Sequence, residues 1–425
     1  MKEILLISYF YPPCTLTAAQ RPAGWVKYLY DFGFRPTVIT RNWDVNITKP
    51  EDQLRDAGKD VIIDYTEKYE VHYLPYKASL RDRIFNSSNT IFKNGSKLLT
   101  LINSVGENYS NCFIPFSNFY EYACHLIEEK KFHILLISAN PFIQFRFGYL
   151  LHKKYGITWV ADYRDDWTTS EIIKPTFLIE KILYLFHTRS EKKWVGTTSF
   201  ITSVSDVYTN RIASLVSKKG ETIFNGFDEL YPIKNTEISS EFVITYNGTL
   251  YQTQDVEGFI KAIKRCIDYF IDQIFIRIQF PGLAYDPSQA RRIQNLIIGY
   301  ENHFIITERI PKKDVIELQR SSDILLMLTH VGSKGIPSSK LYEYLAIQKP
   351  ILCYPSDNDV VEQTLLEVGN SFVVSDSENL FIKFKEMIEK KINHQHFSNQ
   401  INFEKLMYYS QFHQTKKLVE LIQKS

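Results

Sequence analysis

The sequence has few cysteines, and their arrangement argues against two roles. Five occur in 425 residues, and no two of them form a Cys-x-x-Cys pair. An odd and widely scattered set argues against a disulfide framework and a thiolate zinc site, and it fits a reducing compartment. Asp, Glu and His are not clustered at metal-ligand spacing either. We therefore predict a cytoplasmic protein with no metal site and no resident cofactor.

Long apolar runs and an excess of one charge are also missing. The longest apolar runs, such as 4–10 and 324–328, are far shorter than the roughly 20 residues of a membrane-spanning helix. The run at 4–7 is also too short for a secretory signal. Lys and Arg number 50 against 48 Asp and Glu, a balance that argues against nucleic acid as a partner.

What is present is an alternation of short apolar runs with stretches of helical periodicity. Predicted strands lie near residues 3–8, 36–40, 69–74, 133–138, 157–162, 199–204, 221–224, 241–246, 274–280, 303–306, 323–328, 350–354 and 371–374. Predicted helices lie near residues 18–32, 117–131, 141–155, 177–195, 206–217, 255–271, 287–298, 312–321, 339–347, 358–367, 378–391 and 404–424. This order predicts an α/β fold with two doubly wound parallel sheets in series.

A polar stretch between the two halves predicts the domain boundary. The turn at 225–228 is followed by Pro232 and the polar residues 234–240, which show no apolar periodicity. We predict a first domain over 1–228, a second over 229–400 and a C-terminal segment over 401–425. Residues 79–117, with many Asn and Ser, are predicted to form an insertion of loops and short helices.

The loops that follow strands are the candidate sites, because open α/β sheets bind ligands beyond the carboxyl ends of their strands. The first such loop brings Thr17, Ala18 and Arg21 to the start of a helix, where backbone N–H groups and the helix dipole favour an anion. The alternative is an ordinary strand-to-helix connection in which Thr17 is the N-cap.

Three carboxylates and a guanidinium follow a later strand. Asp162, Arg164, Asp165 and Asp166 are close together in the sequence. Carboxylate and guanidinium groups of this kind orient the hydroxyls of a sugar through bidentate hydrogen bonds. A structural ion pair of Arg164 with Asp162 or Asp165, closing the loop, is equally compatible with the sequence.

In the second half, Gly248 and Gly282 each follow a strand, with Thr249 next to the first of them. Glycine at a strand exit lets a ligand approach the backbone closely, although tight turns need glycine equally.

A Gly- and Pro-containing loop then leads into a helix at Ser338 and Ser339, with Lys340 and Glu343 one turn apart. A phosphate at this N-terminus would meet N–H donors and a cation, and Glu343 would accept hydrogen bonds from a ribose diol. The alternative is a surface pair of Lys340 and Glu343, worth about 0.2 to 0.5 kcal/mol.

Several segments together resemble the GT-B glycosyltransferases of the retaining glycosyltransferase family 4. They occur in that family's order and span nearly the whole chain: residues 7–13 with Arg21-Pro22, then 162–167, 225–228, 248–250, and 339–346 before Lys349-Pro350. The resemblance implies two Rossmann-like domains facing a cleft, with the acceptor on the first domain and a nucleoside-diphosphate sugar on the second. It also implies that the last helix crosses back to the first domain.

The sequence departs from the family around the sugar of the donor. The family's motif is a Glu, seven residues and a second Glu, whereas Gly335 occupies the first position here and only Glu343 is present. Arg164 lies roughly where many relatives have a sugar-contacting His, and Thr17 and Ala18 lie in the first loop where a glycine pair is usual.

It also departs from the family around the diphosphate. Thr249 and Gln254 occupy positions at which relatives often have an Arg and a Lys. Lys340, Lys334 and Arg309 are the predicted substitutes, and Lys340 is expected to supply the main charge that stabilises the leaving group.

We therefore predict a retaining, metal-independent transfer of a sugar from a UDP or GDP sugar to a glycan or lipid-linked glycan, in bacterial surface polysaccharide synthesis. The predicted catalytic residues are Lys340, Glu343, Arg164 and Asp165. The predicted donor site comprises Gly248, Thr249, Gly282, Arg309, Ile310, Ser338, Ser339, Lys340 and Glu343. The predicted acceptor or cleft residues are Thr17, Ala18, Arg21 and Asp166. A nucleotide-sugar epimerase and an inactive nucleotide-sugar-binding protein are the alternatives.

One segment predicts peripheral contact with the inner face of a membrane. Between residues 79 and 101, Arg81, Arg83, Lys93 and Lys97 are interleaved with apolar side chains. This pattern is typical of a segment that lies at an anionic lipid surface. An insertion packed on the first domain is the alternative.

Overall fold

The computed structural model describes residues 1–43, 50–85, 99–171, 175–232, 240–396 and 398–425. They form two compact units. The first comprises Met1–Asn225 with Gln411–Ser425, and the second comprises Gly226–Ser410. The chain thus enters the second unit after residue 225 and leaves it after residue 410; the limits predicted from the sequence are 228 and 400.

The first unit is built on an eight-stranded sheet. Its strands are β1 Lys2–Ser8, β2 Phe34–Arg41, β3 Ile62–Tyr65, β4 Glu70–Leu74, β5 Ile134–Ala139, β6 Trp159–Tyr163, β7 Phe200–Ser203 and β8 Gly220–Thr222. Their order in the sheet is β3-β4-β2-β1-β5-β6-β7-β8. Neighbouring strands are parallel except at the edge, where β3 pairs antiparallel with β4.

Helices cover this sheet. They are α1 Gln20–Leu29, α2 Leu80–Phe85, α3 Asn118–Glu129, α4 Gln144–Tyr155, α5 Leu178–Val195 and α6 Asp206–Val216. Residues 99–106 are also helical. Four short 3-10 helices lie at Thr17–Ala19, Tyr30–Phe32, Pro50–Leu54 and Asn111–Phe113.

The second unit is built on a six-stranded parallel sheet. Its strands are β9 Glu241–Thr245, β10 Phe275–Phe280, β11 Phe304–Ile306, β12 Ile324–Leu328, β13 Ile351–Tyr354 and β14 Ser371–Val373. Their order is β11-β10-β9-β12-β13-β14. The helices are α7 Val256–Tyr269, α8 Pro287–Leu296, α9 Lys312–Ser321, α10 Ser339–Ile347, α11 Val360–Val368, α12 Ser377–Ile392 and α13 Phe403–Tyr408, with 3-10 helices at Leu283–Tyr285 and Glu301–His303.

The last helix, α14 Gln411–Lys424, returns to the first unit and packs against α1. The contact is close, because a Cβ added to Gly24 of α1 would lie 2.4 Å from Gln411 Oε1. Leu418 and Ile422 of α14 are buried in the same core as Trp25 of α1. The first unit is therefore completed by a helix that follows the second unit in the chain.

The central strands of both sheets are buried on both faces, and this explains their sequences. The four residues at 4–7 of β1 and all five of β12 are buried and apolar. Parallel strands covered by helices on both sides read as continuous apolar runs, without polar alternation. The predicted α/β fold class, with two Rossmann-like units, is confirmed.

Each sheet has one point at which the strand order reverses. In the second unit it lies between β9 and β12, and in the first unit between β1 and β5. Ligands of doubly wound folds bind beyond the carboxyl ends of the strands at this point. The loops after these four strands are therefore the places to look for a site.

The sequence prediction omits β3. The four residues of β3 are all exposed, so the strand lacks the apolar alternation that would have revealed it. The six-residue helix α2 and the helical residues 99–106 lie within the predicted insertion of loops and short helices. Of the predicted insertion, residues 86–98 lie outside the described residues. Within the described ranges, no helix combines the length and the apolar character needed to cross a bilayer.

Candidate functional site

The candidate site of the second unit begins where β9 ends. Gly248 turns the chain with a φ of +86°, and its N–H donates to the Pro281 carbonyl at 2.9 Å. Gly282, with a φ of +81°, follows the adjacent strand β10, and a Cβ added to it would lie 3.8 Å from the Gly248 Cα. Two glycines in contact leave a stretch of backbone that a ligand can approach without meeting side chains.

Lys340 lies across this stretch. A Cβ added to Gly248 would be 3.4 Å from Lys340 Cε, so the aliphatic part of the side chain rests on the glycine. The ammonium donates to the Thr249 carbonyl at 3.4 Å and lies 5.1 Å from the centre of the Tyr246 ring. Burial lowers the pKa of Lys340 below the usual value for a lysine. A desolvated ammonium beside glycine backbone is suited to receive an anion.

Glu343 is held through one of its two oxygens. Its Oε1 accepts hydrogen bonds from Asn247 Nδ2 at 2.8 Å and from Gln319 Nε2. Asn247 is itself fixed, because its backbone N–H donates to the Tyr344 hydroxyl at 2.9 Å. No donor in the described part of the chain is directed at Oε2, so this oxygen keeps its capacity to accept from a ligand.

The alternative of a surface pair is not what the structure has. Among the described residues, no ion pair within bonding distance joins Lys340 to Glu343, although the carboxylate opposes the lowering of the Lys340 pKa. The two side chains instead contact different neighbours, the Thr249 carbonyl for one and Asn247 for the other.

The loop before α10 is fastened to the loop after β13. Lys334 Nζ donates to the carbonyls of Asp357 and Asn358, both at 2.8 Å, and the Gly335 N–H donates to the Asp359 carboxylate. Ser338 occupies the N-cap position of α10, but in the described structure its side chain makes no capping hydrogen bond. The first turn of α10 is thus positioned by its loop without being capped by a side chain.

A pocket lies beside this loop, at the ends of β12 and β13. Its lining includes Thr329, His330, Ser333, Ser338 and Asp357. His330 Nδ1 is 2.6 Å from the Thr253 hydroxyl, and burial together with the charge of Lys340 lowers the pKa of this imidazole. His330 is therefore a neutral hydrogen-bonding group near neutral pH.

Gln254 shows what replaces one of the expected cations. It is buried, its Nε2 donates to the Leu328 carbonyl at 2.7 Å, and its Oε1 accepts from the Tyr246 hydroxyl and the Tyr251 N–H. The side chain therefore ties the loop after β9 to β12 and supplies no charge to the site.

The other predicted donor residues are less closely associated with Lys340. Arg309 is exposed, and its guanidinium lies over the Tyr285 ring at 5.0 Å. Ile310 is half-buried and precedes Pro311, the N-cap of α9. Ser339 begins α10 directly beside Lys340. The participation of Arg309 and Ile310 in a site stays a prediction.

In the first unit, Arg21 is part of a buried ion pair. Its Nη2 is 2.7 Å from Asp162 Oδ1, and its Nη1 donates to the carbonyls of Ile223 at 2.6 Å and Phe224 at 3.1 Å. Ser138 and Thr202 also donate to the Asp162 carboxylate. The pair joins α1, β5, β6 and β7, so the partner of Asp162 is Arg21 and not Arg164.

The residues after Asp162 form a more accessible group. Arg164 is half-buried and Asp165 is exposed. Burial lowers the pKa of Arg164, against the opposing effect of Asp165 and Asp162, and burial raises the pKa of Asp166 to about 6. Opposite charges held in a partly buried loop after β6 are suited to hydroxyl groups, and their role as acceptor residues stays a prediction.

Thr17 and Ala18 form the first two residues of a short 3-10 helix. The N-cap position is Leu16, so Thr17 does not cap the helix. Thr17 is exposed and Ala18 half-buried, in the loop that follows β1 at the reversal point of the first sheet.

Three neighbours of the site have no role in the prediction from sequence. Asn247 and Gln319 orient Glu343, and Asp359 anchors the loop before α10. Asn247 had a detectable signal, because it directly follows a strand and precedes Gly248. Gln319 and Asp359 are distant in the sequence from the groups they hold.

The arrangement offers a cation, backbone donors at a helix start and a carboxylate acceptor on one side of a parallel sheet. This combination suits a ligand with an anionic phosphate part and a part that carries hydroxyl groups. In the ranges that the structure describes, no three His, Cys, Asp or Glu side chains converge in the manner of a metal site.

Comparisons with known proteins bear on the family and on the fold. Residues 228–403 match the family model described as glycosyl transferases group 1. Sucrose-phosphate synthase from Thermosynechococcus elongatus is similar in structure, with a TM-score of 0.66, 14% identity and coverage of 100% of this chain and 99% of that one. The Anabaena protein HepE, solved with UDP and glucose, has a TM-score of 0.61 at 11% identity, with both chains covered completely. No curated protein matches the sequence.

Proposed function

We propose that this protein is a retaining enzyme that uses a nucleoside-diphosphate sugar without a metal ion. The proposal starts from its being a glycosyltransferase, because residues 228–403 match a glycosyltransferase family and the chain has the GT-B fold. The observation that carries the proposal is the convergence of Lys340, Gly248 and Glu343 at the reversal point of the second sheet.

The diphosphate of the donor would lie at the start of α10. There the glycine backbone at 248 and 282 permits close approach, and the Lys340 ammonium supplies positive charge. The helix dipole adds to this attraction, because the positive end of α10 points toward the same position.

The ribose would lie against Glu343. Since Asn247 and Gln319 engage Oε1, Oε2 is left to accept hydrogen bonds from the ribose diol. Charge-assisted hydrogen bonds of this kind are worth about 1.5 to 3 kcal/mol each. Of the two nucleotides expected, the structural neighbours favour uridine, since HepE was solved with UDP and glucose and an E. coli relative with a UDP-sugar analogue.

The reaction breaks the bond between the anomeric carbon and the β-phosphate oxygen. The electron pair stays on the diphosphate, and an acceptor hydroxyl forms the new bond on the same face of the sugar. Its proton passes to the departing phosphate oxygen, so that atoms and charges balance. Lys340 would stabilise the negative charge that develops on the diphosphate.

For the acceptor we propose a glycan or a lipid-linked glycan, in surface polysaccharide synthesis on the cytoplasmic face of a bacterial membrane. The candidate residues are Arg164, Asp165 and Asp166, because a partly buried group of opposite charges binds sugar hydroxyls. Peripheral membrane contact belongs to this proposal, because a lipid-linked substrate is reached at a bilayer surface.

Donor binding is tested by calorimetric titration of the full chain with a UDP sugar and a GDP sugar, each with and without EDTA. Binding that survives EDTA supports the metal-free assignment, and binding that EDTA abolishes overturns it. Acceptors are then tested with the donor that binds, and the anomeric configuration of the product is read by NMR.

The products separate the proposal from its alternatives. Release of the nucleoside diphosphate upon addition of an acceptor, with retained configuration, supports retaining transfer. Isomerised donor without release identifies an epimerase, and tight binding with neither outcome identifies a binding protein. An inverted product would contradict retention while leaving the transferase assignment in place.

A further inference from the structure

The first half of α5 exposes large apolar side chains to solvent. Phe177, at the N-cap, is 71% exposed, Leu178 is 75% exposed and Leu185 is 67% exposed. Ile179 and Ile182 are 57% and 52% exposed. Single exposed apolar residues are common on protein surfaces, but a contiguous group of this size marks an interaction surface.

The outward face of α5 changes character along its length. Leu178, Ile182 and Leu185 follow one another at spacings of four and three, which places them on one side of the helix. Continuing the same spacing leads to Arg189 and then to Lys192 and Lys193, all exposed. We call these six residues the α5 stripe, apolar in its first half and basic in its second.

The opposite side of the helix anchors it to the first unit. Ser190, Glu191, Trp194 and Val195 are buried there. The Trp194 ring lies 6.2 Å from the Trp167 ring, and Glu191 accepts hydrogen bonds from the Tyr163 and Thr168 hydroxyls. The second half of α5, which carries the three cations of the stripe, is therefore anchored to the first unit.

No carboxylate belongs to the α5 stripe, and the nearby acids are engaged elsewhere. Glu180 accepts hydrogen bonds from the backbone N–H groups of Thr176 at 2.8 Å and Phe177 at 3.1 Å, at the start of the helix. Glu171 pairs with Arg211 at 2.9 Å. Within the part of the chain that the structure describes, the stripe thus combines apolar area with three cations that form no ion pair.

A second element extends the apolar surface. The Tyr109 side chain is 70% exposed, and its ring lies 6.2 Å from that of Phe186 on α5. An aromatic side chain with a hydroxyl is favoured at the boundary between lipid headgroups and acyl chains.

We infer that the α5 stripe is the surface by which this protein binds an anionic lipid bilayer. Leu178, Ile182 and Leu185 would enter the headgroup region, while the three cations contact anionic headgroups. A second copy of the chain fits less well, because the stripe offers its own cations no carboxylates in return. The inference specifies the membrane contact of the proposed function, and its test requires no transfer activity.

The segment predicted from the sequence supports membrane contact less well in its described part. Arg81 Nε donates to the Thr100 hydroxyl at 3.0 Å, and Arg83 pairs with Asp56 at 3.4 Å. These two cations therefore have partners within the first unit, whereas Lys93 and Lys97 lie outside the described residues.

The test is flotation of the full chain with vesicles of phosphatidylcholine, with or without about one third phosphatidylglycerol. We expect binding to the anionic vesicles that weakens as salt is raised. The combined variant L178S/I182S/L185S should bind at least about tenfold more weakly. R189Q/K192Q/K193Q should lose about fivefold per cation, or about a hundredfold in all.

Matched controls come from the second unit. Ile298, Leu366 and Ile382 are 69%, 65% and 54% exposed, so I298S/L366S/I382S removes similar apolar exposure from other places. Arg291, Lys312 and Lys313 are exposed, so R291Q/K312Q/K313Q removes equal charge. Both controls should bind vesicles as the unaltered chain does.

A second measurement does not depend on loss of binding. Leu185→Trp places an indole on the stripe, and brominated lipid should quench its added fluorescence, whereas Leu366→Trp should not be quenched. Normal vesicle binding by L178S/I182S/L185S, or no binding by the unaltered chain, overturns the inference. The inference is also overturned if the unaltered chain forms a dimer without lipid and L178S/I182S/L185S abolishes that dimer, because a second copy would then cover the stripe. Donor binding, measured in parallel, is independent of every one of these outcomes.

Discussion

Replacing Lys340 by Met removes the positive charge from the candidate donor site while keeping a side chain of similar length. In the unaltered protein the aliphatic part rests on Gly248 and the ammonium reaches the Thr249 carbonyl at 3.4 Å. Methionine can keep the first contact and cannot make the second. The substitution therefore tests charge with little change in packing.

The magnitude follows from the distance and the burial. A phosphate oxygen about 4 Å from the ammonium interacts with it by about 4 kcal/mol per unit charge, at an effective dielectric constant of about 20. If half or more of a unit charge develops on the diphosphate during bond breaking, Lys340 contributes about 2 kcal/mol or more to the transition state beyond its contribution to binding. We expect kcat to fall by about 30-fold, and by tenfold at the least.

The assay measures release of the nucleoside diphosphate with a verified donor and acceptor. Lys312→Met is the control, because Lys312 is an exposed lysine of the same unit. Since burial lowers the pKa of Lys340, donor binding at alkaline pH should also take up a proton, and Lys340→Met should abolish this uptake in titrations with two different buffers. Normal turnover by Lys340→Met would refute the reasoning and leave Lys334 or Arg309 as the stabilising cation.

Three further predictions concern single residues. Glu343→Gln should weaken donor binding by about 1.5 to 3 kcal/mol. The new amide oxygen would accept from Asn247 and Gln319, so the NH₂ group would face the ribose in place of the acceptor Oε2. Unchanged donor affinity in calorimetry would contradict this role. Gly248→Ala should weaken donor binding by tenfold or more, because the new Cβ would stand on the stretch of backbone that the diphosphate is proposed to approach. Gly299→Ala, with a similar φ and no atom within 4 Å of the added Cβ, should only lower stability. Equal donor affinities of Gly248→Ala and the unaltered protein would contradict this close approach. Burial raises the pKa of Glu191 to about 7, so the unfolded chain releases this proton at lower pH than the folded chain does. The stability of the protein should therefore fall as the pH rises from about 4.5 to 7. A Glu191→Gln variant with the same pH dependence of Tm would show that another group is responsible.

Local features of the sequence were enough to predict the fold. The apolar runs at β1 and β12 are continuous because parallel strands are buried on both faces, so they can be recognised without knowing their neighbours. Gly248 and Lys340 could also be selected from local signals, because Gly248 lies in the loop after a recognisable strand and Lys340 lies in the first turn of a helix that follows a Gly- and Pro-containing loop. Their contact could not be predicted, since it depends on β9 and β12 being adjacent in the sheet.

The partners of charged groups were decided by the tertiary structure. Asp162 has Arg164 as a close neighbour in the sequence, yet it pairs with Arg21, because α1 and β6 bring these two side chains together in the core. Glu343 is oriented by Asn247 and Gln319, which belong to two other elements. Hydrogen bonds of this kind depend on positions in space, and spacing along the chain does not reveal them.

The α5 stripe shows most clearly which features the sequence determines and which are decided by packing. Its apolar residues and its cations are visible in the sequence, and the helical periodicity at 177–195 is sufficient to predict a helix. An apolar helix surface is compatible with burial or exposure, because the sequence specifies the face and leaves open what lies against it. The structure buries Trp194 and Val195 on the first unit and leaves Leu178, Ile182 and Leu185 facing solvent. Local chemistry thus determined the elements, and packing determined which of their surfaces remain available for binding.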